Sequence, residues 1–277
     1  MLKREDIRIR DPFIYTDREN GCYYMYGTTA CKEGSLSTAP SLTVYRTEDL
    51  EHFSEGRVIF SGEEIGFWAD RDYWAPEMHK YNGKYYLFVS FKSATRHRAT
   101  QILVCDTPDG RFQPVSKEPI TPPDWECLDG TFWVENGVPY MVFCHEWVQV
   151  GDGEIWAVPL KADLSAPAGE PFYLFKASDN PDVTELRNKP GCYVTDGPFL
   201  FSEEGKLKMI WSSFLQGRYL VLEAESDSLC GKWEHKGSRY DFDGCHAMIF
   251  ERLDGTRMIS LHSPNKAGLE RAMFLEY

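Results

Sequence analysis

Three aspartates, Asp11, Asp129 and Asp196, lie at the start of hydrophobic strands and next to Pro or Gly. Carboxyl groups in a set can perform general acid–base chemistry, because an ionised one accepts a proton from water and a protonated one donates to a leaving group. An aspartate before Gly or Pro is also a common turn residue, so each one alone is explained by local structure. A functional interpretation therefore requires elements that bring the three carboxyls together.

A repeated pattern provides such elements. In each of five segments a small, acidic or histidine residue opens a hydrophobic strand, a Gly turn follows, and a second strand of large apolar residues comes next. The segments open at Asp11, Ala75, Asp129, Asp196 and His246, roughly 50 to 67 residues apart. One hairpin unit used five times predicts an all-β fold, a five-bladed β-propeller, with each opening residue on an innermost strand near the central axis. Three carboxylates and one histidine are then expected to converge.

Length and composition agree with a single propeller domain over residues 1–277. The chain is 14% aromatic and has 22 Gly and 16 Pro, which is typical of many short strands joined by tight turns. The patterns between the repeat openings predict about four strands per blade and a long loop over residues 177–191. Residues 270–277 are expected to form a final strand that closes the ring near the N-terminal strand.

Charge and targeting signals restrict partners and location. A net charge of −13 disfavours a nucleic-acid or anionic-membrane partner, because the phosphates would be repelled. The sequence has no 18-residue apolar run and no secretory segment at its start. Its eight cysteines are scattered and form no CxxC pair, so we expect reduced, structural thiols in a cytoplasmic protein. A homo-oligomer is compatible with these features.

The five repeat openings also carry a resemblance. They read Arg10-Asp-Pro-Phe, Tyr73-Trp-Ala-Pro-Glu, Leu128-Asp-Gly-Thr-Phe, Thr195-Asp-Gly-Pro-Phe and Cys245-His-Ala-Met-Ile. In this order they resemble the blade signatures of glycoside hydrolase family 43, and the likeness spans almost the whole chain. Members of that family are five-bladed propellers that hydrolyse α-L-arabinofuranosides, β-D-xylosides and related sugars with inversion. The resemblance implies a glycosidase whose substrate is a short oligosaccharide or a terminal pentose-containing glycoside.

The resemblance also implies catalytic roles. Asp11 corresponds to the family's base, and Asp129 to the third carboxylate that raises the pKa of the acid and orients it. Asp196 stands where the family usually has Glu, so the acid would be shorter by one methylene group. Three alternatives follow: Asp196 is a working acid, a loop carboxylate such as Glu185 replaces it, or the protein is a poor catalyst or a binder.

Further residues are candidates for substrate binding. Trp74 is a candidate sugar platform, with packing between blades as the alternative. His246 is expected to line the site, and Arg271 resembles the arginine that reaches the reacting sugar in the β-xylosidases of the family. Glu77 is expected to make a structural hydrogen bond. No metal or other cofactor is expected to be required, although a structural calcium ion near the axis is compatible with the resemblance.

Two other functions remain open from the sequence. A glycoside phosphorylase on a related propeller would need a basic cluster for phosphate, and Arg96, His97 and Arg98 form the one compact basic group in the sequence. A non-catalytic sugar-binding propeller is the other alternative. The hydrolase predicts that Asp11, Asp129 and Asp196 line one pocket.

Overall fold

Five antiparallel sheets account for most of the residues that the computed structural model describes, 1–29 and 41–277. The structure is 55% strand and 5% helix, and the sheets are arranged as a five-bladed β-propeller, which confirms the predicted fold class. Most blades are meanders in which consecutive strands are neighbours, because short turns join antiparallel strands directly.

Blade one contains β1 (Leu2–Lys3), β2 (Arg10–Asp17), β3 (Cys22–Thr28), β4 (Ser41–Thr47), β5 (His52–Phe53) and β6 (Arg57–Ser61). Blade two follows helix α1 (Gly62–Ile65) and contains β7 (Arg71–Tyr81), β8 (Lys84–Lys92), β9 (Ala99–Cys105) and β10 (Gln113–Pro114). Blade three contains β11 (Cys127–Glu135), β12 (Val138–His145), β13 (Glu154–Pro159) and β14 (Phe172–Lys176), with helix α2 (Trp147–Val150) after β12. Blade four contains β15 (Asp196–Glu203), β16 (Lys206–Leu215), β17 (Arg218–Ser226) and β18 (Glu234–Ser238). Blade five contains β19 (Cys245–Glu251), β20 (Arg257–Ser263) and β21 (Arg271–Glu276).

The innermost strands β2, β7, β11, β15 and β19 contact one another in a ring, and each carries a β-bulge near its start. In every bulge one residue has a positive φ of 46° to 55°, and we call these residues the axial positions: Asp11, Ala75, Asp129, Gly197 and His246. The residue before each one occupies a preceding position: Arg10, Trp74, Leu128, Asp196 and Cys245. The sequence repeat therefore needs a correction, because Gly197 rather than Asp196 is the axial residue of blade four.

Backbone hydrogen bonds tie the axial positions to the neighbouring blades. Four axial N–H groups donate to a side chain on the second strand of the preceding blade: Ala75 to Thr28 Oγ1 (2.7 Å), Asp129 to Ser90 Oγ (2.8 Å), His246 to Ser212 Oγ (2.8 Å) and Asp11 to His262 Nδ1 (3.2 Å). The fifth axial residue, Gly197, is the exception. The residue of blade three that corresponds to these acceptors is Cys144, and the N–H of Gly197 donates instead to Oδ2 of Asp129 at 2.9 Å. These bonds satisfy buried N–H groups and fix where the axial side chains point.

The ring closes through contacts between blades five and one. Thr16 Oγ1 donates to the carbonyl of Glu251 at 2.6 Å, and Ser260 Oγ donates to the carbonyl of Pro12 at 2.7 Å. The final strand β21 forms as expected and contacts the N-terminal segment, where the Ile9 N–H donates to the carbonyl of Glu270 at 3.4 Å. Within the sheets, β21 pairs with β20 of its own blade and β1 pairs with β5, so blades five and one share no sheet.

The connecting segments and cysteines follow the predictions where the structure describes them. Residues 177–191 contain one short 3₁₀ turn, Ala177–Asp179, and are otherwise a loop without strands. Cys22, Cys105, Cys127, Cys144, Cys192, Cys230 and Cys245 are free thiols, and Cys31 lies outside the described residues. Among the described residues, no helix has the length and apolar character needed to cross a membrane.

Candidate active site

A cavity of about 160 Å³ lies at the end of the propeller where the innermost strands begin. The residues that line it are Arg10, Asp11, Thr28, Trp74, Leu128, Asp129, Glu146, Trp147, Asp196, Tyr219 and His246. The structure thus brings together the three predicted carboxylates and two of the three predicted substrate-binding residues, Trp74 and His246. Three axial residues and four preceding residues line the cavity, so the bulges direct both sets of side chains toward it.

Asp11 is buried and is held by hydrogen bonds in its ionised form. Its Oδ2 accepts from Thr28 Oγ1 at 2.6 Å, and its Oδ1 lies 3.3 Å from Nδ1 of both His246 and His262. Burial opposes ionisation, but the positive charges of His246 and Arg10 outweigh it and hold the pKa of Asp11 well below its ordinary value. Asp11 is therefore a carboxylate, able to accept a proton, across the neutral pH range.

His246 is the cation at the centre of the carboxylates. Its Nδ1 lies 3.3 Å from Asp11 and 3.6 Å from Oδ2 of Asp129. Burial disfavours the charged imidazole, yet the surrounding carboxylates, with Asp11 first, raise the pKa of His246 above its ordinary value. The positive charge of His246 reduces the repulsion that two buried carboxylates would otherwise exert on each other.

Gly197 makes room for this imidazole. A Cβ atom on Gly197 would lie 2.8 Å from Cγ of His246, closer than such atoms pack. The residue also has a φ of +52°, which glycine adopts without the steric penalty of a Cβ. An axial carboxylate in blade four would exclude His246 from its position, and this explains why the acidic residue of that blade stands one position earlier.

Asp196 lies in the cavity in a setting that favours its protonated form. Burial, together with the negative charge of Asp129, raises the pKa of Asp196 to about 7, although hydrogen bonding to Tyr219 works in the opposite direction. The Tyr219 hydroxyl donates to Oδ2 of Asp196 at 2.5 Å. With Oδ2 accepting this bond, the acidic proton belongs on Oδ1.

Asp129 links the other two carboxyls. Its Oδ2 accepts the N–H of Gly197 at 2.9 Å, and Gly197 directly follows Asp196. Burial is the main reason that the pKa of Asp129 rises to about 6; His246 opposes this rise and Asp11 adds to it. Burial thus raises the pKa of both Asp129 and Asp196, and the negative charge of an ionised Asp129 helps to keep Asp196 protonated. The cavity contains a permanent carboxylate and a carboxylic acid, the pair that acid–base cleavage of a glycoside needs.

The family model for glycosyl hydrolases family 43 matches residues 6–276. The chain belongs to family 43. It is a glycosidase.

Solved structures and curated relatives agree with this family 43 membership. The endo-arabinase from Bacteroides thetaiotaomicron VPI-5482 is 37% identical with a TM-score of 0.90, covering 100% of this chain and 96% of that one. The α-L-arabinofuranosidase from Lactobacillus brevis shares the fold, at 18% identity and a TM-score of 0.76 over 98% of this chain and 90% of that one. A probable arabinan endo-1,5-α-L-arabinosidase C from Aspergillus oryzae is 23% identical over 211 residues, 73% of this chain. The match covers 58% of the length of that relative.

Arg271 of this family 43 enzyme is not among the residues that line the cavity. Its guanidinium donates to the backbone carbonyls of Glu5 at 2.5 Å and Glu270 at 2.9 Å, because it starts β21, the outer strand of blade five. The arginine in the cavity is Arg10, which pairs with Glu270 at 2.9 Å and also donates to Asn265 at 3.1 Å. Sequence pattern missed Arg10, although it directly precedes the first axial aspartate.

The sequence also missed Tyr219, Glu146 and Trp147. None of them lies in a repeat opening: Tyr219 is on the third strand of blade four, and the other two stand where β12 leads into α2. The dipeptide Glu146-Trp147 directly after an apolar strand is the only signal that could have drawn attention to them.

The remaining predicted residues have structural partners. Glu77 is buried and lies 3.2 Å from Nε2 of His79, consistent with the expected structural bond. Glu185 is exposed, accepts from Tyr193 at 3.2 Å and does not line the cavity. The Glu185 alternative for the acid is therefore not supported.

The basic cluster is neutralised by acids. Arg96 pairs with Glu118 at 2.8 Å, His97 with Glu126 at 3.0 Å, and Arg98 with Asp72 at 3.0 Å. Because each of these side chains already has an acidic partner, they are poor candidates for the phosphate site of a phosphorylase.

A structural calcium ion near the axis is the one metal that the resemblance allows. In the described part of the chain, no group of three or more His, Cys, Asp or Glu side chains is arranged to hold a metal ion. A calcium ion near the axis stays an untested prediction, and no step below uses one.

Proposed function

We propose that this family 43 enzyme hydrolyses α-L-arabinofuranosidic bonds in short arabino-oligosaccharides, with inversion at the anomeric carbon. The observation that carries the proposal is the joint placement of Asp11 and Asp196 in one cavity with opposite pKa shifts. The arabinose specificity is supported by the 37% identity to a structure described as an endo-arabinase. A β-D-xyloside is the second candidate glycone.

In the proposed reaction, Asp11 accepts a proton from a water molecule as that water attacks the anomeric carbon. Asp196 donates its proton to the oxygen of the leaving sugar from the other side, as inversion requires. His246 stays protonated and stabilises the negative charge of Asp11 before the proton arrives. Asp129 keeps Asp196 protonated and aligns the Asp196–Gly197 peptide through its bond to the Gly197 N–H.

The shorter side chain of Asp196 remains compatible with the acid role. Asp196 lines the cavity directly, and Tyr219 from the third strand of its own blade holds one carboxyl oxygen in place. Because Tyr219 holds Oδ2, the proton is donated from Oδ1. Aspartate also has fewer rotatable bonds than glutamate, so it loses less conformational entropy when it is oriented for proton transfer.

A substrate panel with product stereochemistry tests the proposal. Purified enzyme is incubated with nitrophenyl arabinofuranoside, xyloside and galactoside and with arabino-oligosaccharides, and the first-formed anomer is recorded by proton NMR. We expect turnover of the arabinosides and release of the β-anomer from an α-linkage. Release of the α-anomer would refute inversion, and turnover of xylosides alone would refute the arabinose assignment.

The acid role has its own test. Asp196→Ala should impair hydrolysis of an arabino-oligosaccharide far more than hydrolysis of a nitrophenyl arabinofuranoside, because a good leaving group needs little protonation. Equal losses on both substrates would show that Asp196 is structural.

The cytoplasmic location and homo-oligomeric state expected from the sequence stay proposals, and fractionation and light scattering are the measurements that would test them.

A further inference from the structure

The cavity contains a fourth carboxylate, Glu146, that the proposed reaction does not use. Glu146 stands between β12 and α2, is 7% exposed, and lines the cavity next to Trp147. Burying a carboxylate is costly unless it is paired, so a buried one at a substrate cavity requires both a partner and a reason.

Arg98 is the partner of Glu146. Its Nε lies 3.2 Å from Oε2 of Glu146, while its Nη1 donates to Asp72 at 3.0 Å. The guanidinium carbon of Arg98 also lies 3.8 Å from the ring centroid of Trp74. One buried arginine therefore fixes both a carboxylate and an aromatic ring of the cavity lining.

One oxygen of Glu146 is left for a ligand. Oε2 is engaged by Arg98, and this is the one side-chain hydrogen bond that Glu146 accepts from residues 1–29 and 41–277, so Oε1 is open to a ligand. Burial raises the pKa of Glu146 above its ordinary value, and the charge and hydrogen bond of Arg98 oppose that rise and favour the ionised carboxylate, which only accepts hydrogen bonds. A sugar hydroxyl in the cavity is a donor of the required kind.

Packing assigns Glu146 to the side of the cavity that holds the acid. Trp147, the next residue, packs against the buried cluster that contains Tyr219, and Tyr219 bonds Asp196. The charge of Glu146 also contributes to the raised pKa of Asp196, and Glu146 is not among the principal groups that shift Asp11. The acid contacts the oxygen of the leaving group, so the sugar on this side is the leaving group.

We propose that Glu146, positioned by Arg98, accepts a hydrogen bond from a hydroxyl of the leaving-group sugar and so selects oligosaccharides over glycosides with a non-sugar leaving group. This inference rests on the proposed hydrolysis of arabino-oligosaccharides. It makes Glu146 a specificity-determining residue and Arg98 a positioning residue.

Glu146→Gln is the decisive variant. In this variant the single amide oxygen pairs with Arg98, and the NH₂ group that then faces the cavity can only donate. Losing a hydrogen bond to a charged acceptor should lower kcat/KM on an arabino-oligosaccharide by about 10- to 100-fold. On a nitrophenyl arabinofuranoside, whose leaving group carries no sugar hydroxyl, the change should stay below about 3-fold.

Glu126→Gln is the matched control. Glu126 belongs to the same charge network, accepting from Lys92 Nζ at 3.0 Å and from the Arg98 N–H at 2.7 Å, but it does not line the cavity. Its replacement should change kcat/KM on the two substrates by the same factor. If Glu146→Gln does not fold, Glu146→Asp keeps the charge, shortens the reach and should give a smaller loss confined to the oligosaccharide.

The outcomes separate the two proposals. Suppose that the wild-type enzyme is active, so that the proposed hydrolysis stands. Equal losses of kcat/KM on both substrates in the Glu146 variants would then overturn the assignment of Glu146 to the leaving-group sugar. An unchanged kcat/KM on both substrates would overturn the contact with a sugar hydroxyl. A wild-type enzyme that turns over neither arabinoside would overturn the proposed function and this inference together.

Discussion

Removal of the negative charge of Asp129 should lower the pH above which the enzyme loses activity. Asp196 must be protonated to act, and its pKa of about 7 depends on burial and then on the charge of Asp129. In Asp129→Asn the ionised form of Asp196 becomes less unfavourable, so the pKa of Asp196 falls and the alkaline limb of kcat/KM moves to lower pH.

The size of this shift follows from the short link between the two groups. Oδ2 of Asp129 bonds the N–H of Gly197, the residue directly after Asp196, so the two carboxyls are near neighbours. Removal of a like charge from a near-neighbour carboxyl typically lowers a pKa by about one unit, which corresponds to about 1.4 kcal/mol. The limb should therefore fall from about pH 7 to about pH 6.

The assay uses an arabino-oligosaccharide, since only a poor leaving group makes the rate depend on the acid. Carbon-13 NMR of the carboxyl groups follows Asp196 independently of turnover. Asp106→Asn is the control, because it removes a negative charge at the surface, where Asp106 pairs with Lys84 at 3.6 Å. An unchanged alkaline limb in Asp129→Asn would refute the electrostatic role of Asp129.

Three further predictions follow. Asp11→Asn keeps the shape of the base and removes its proton acceptor, so turnover of all arabinosides should fall by about 10² to 10⁴-fold in a protein that still folds. Gly197→Ala should lower the free energy of unfolding, measured in urea, by more than the ~1–2 kcal/mol of a left-handed alanine, because its Cβ meets His246. Gly205 has a φ of +77° and no atom within 4 Å of a Cβ, so Gly205→Ala should lower the free energy of unfolding only by that backbone contribution. Arg10→Ala should lower kcat/KM at least 10-fold, and Arg271→Ala, outside the cavity, should change it less than about 3-fold; the reverse order would restore Arg271 as the site arginine.

The repeat openings predicted the propeller and five of the eleven residues that line the cavity, because these openings are local patterns. A residue that opens an inner strand lies at the axis by symmetry, so Asp11, Asp129 and His246 could be placed from spacing alone. The bulge register could not, since a shift of one residue between Asp196 and Gly197 depends on how Gly197 packs against His246.

The residues that the sequence missed belong to long-range contacts. Tyr219 reaches Asp196 from a strand 23 residues later in the chain, and Arg98 reaches Glu146 across 48 residues. No local motif records such pairs. The expectation for Arg271 came from its position in the chain, which resembles a motif of the family. That position does not show that its strand is the outer one of its blade.

The hydrogen bond between the Asp11 N–H and His262 has a consequence for how the protein is made. The base comes from the first innermost strand and its backbone partner from the last blade, 251 residues later. During synthesis four blades can form before His262 exists, and throughout that time the base lacks its anchor. Enzymatic activity is therefore a late event of folding, and the delay between the recovery of β-structure and the recovery of turnover after dilution from denaturant measures the time needed to join the two ends of the ring.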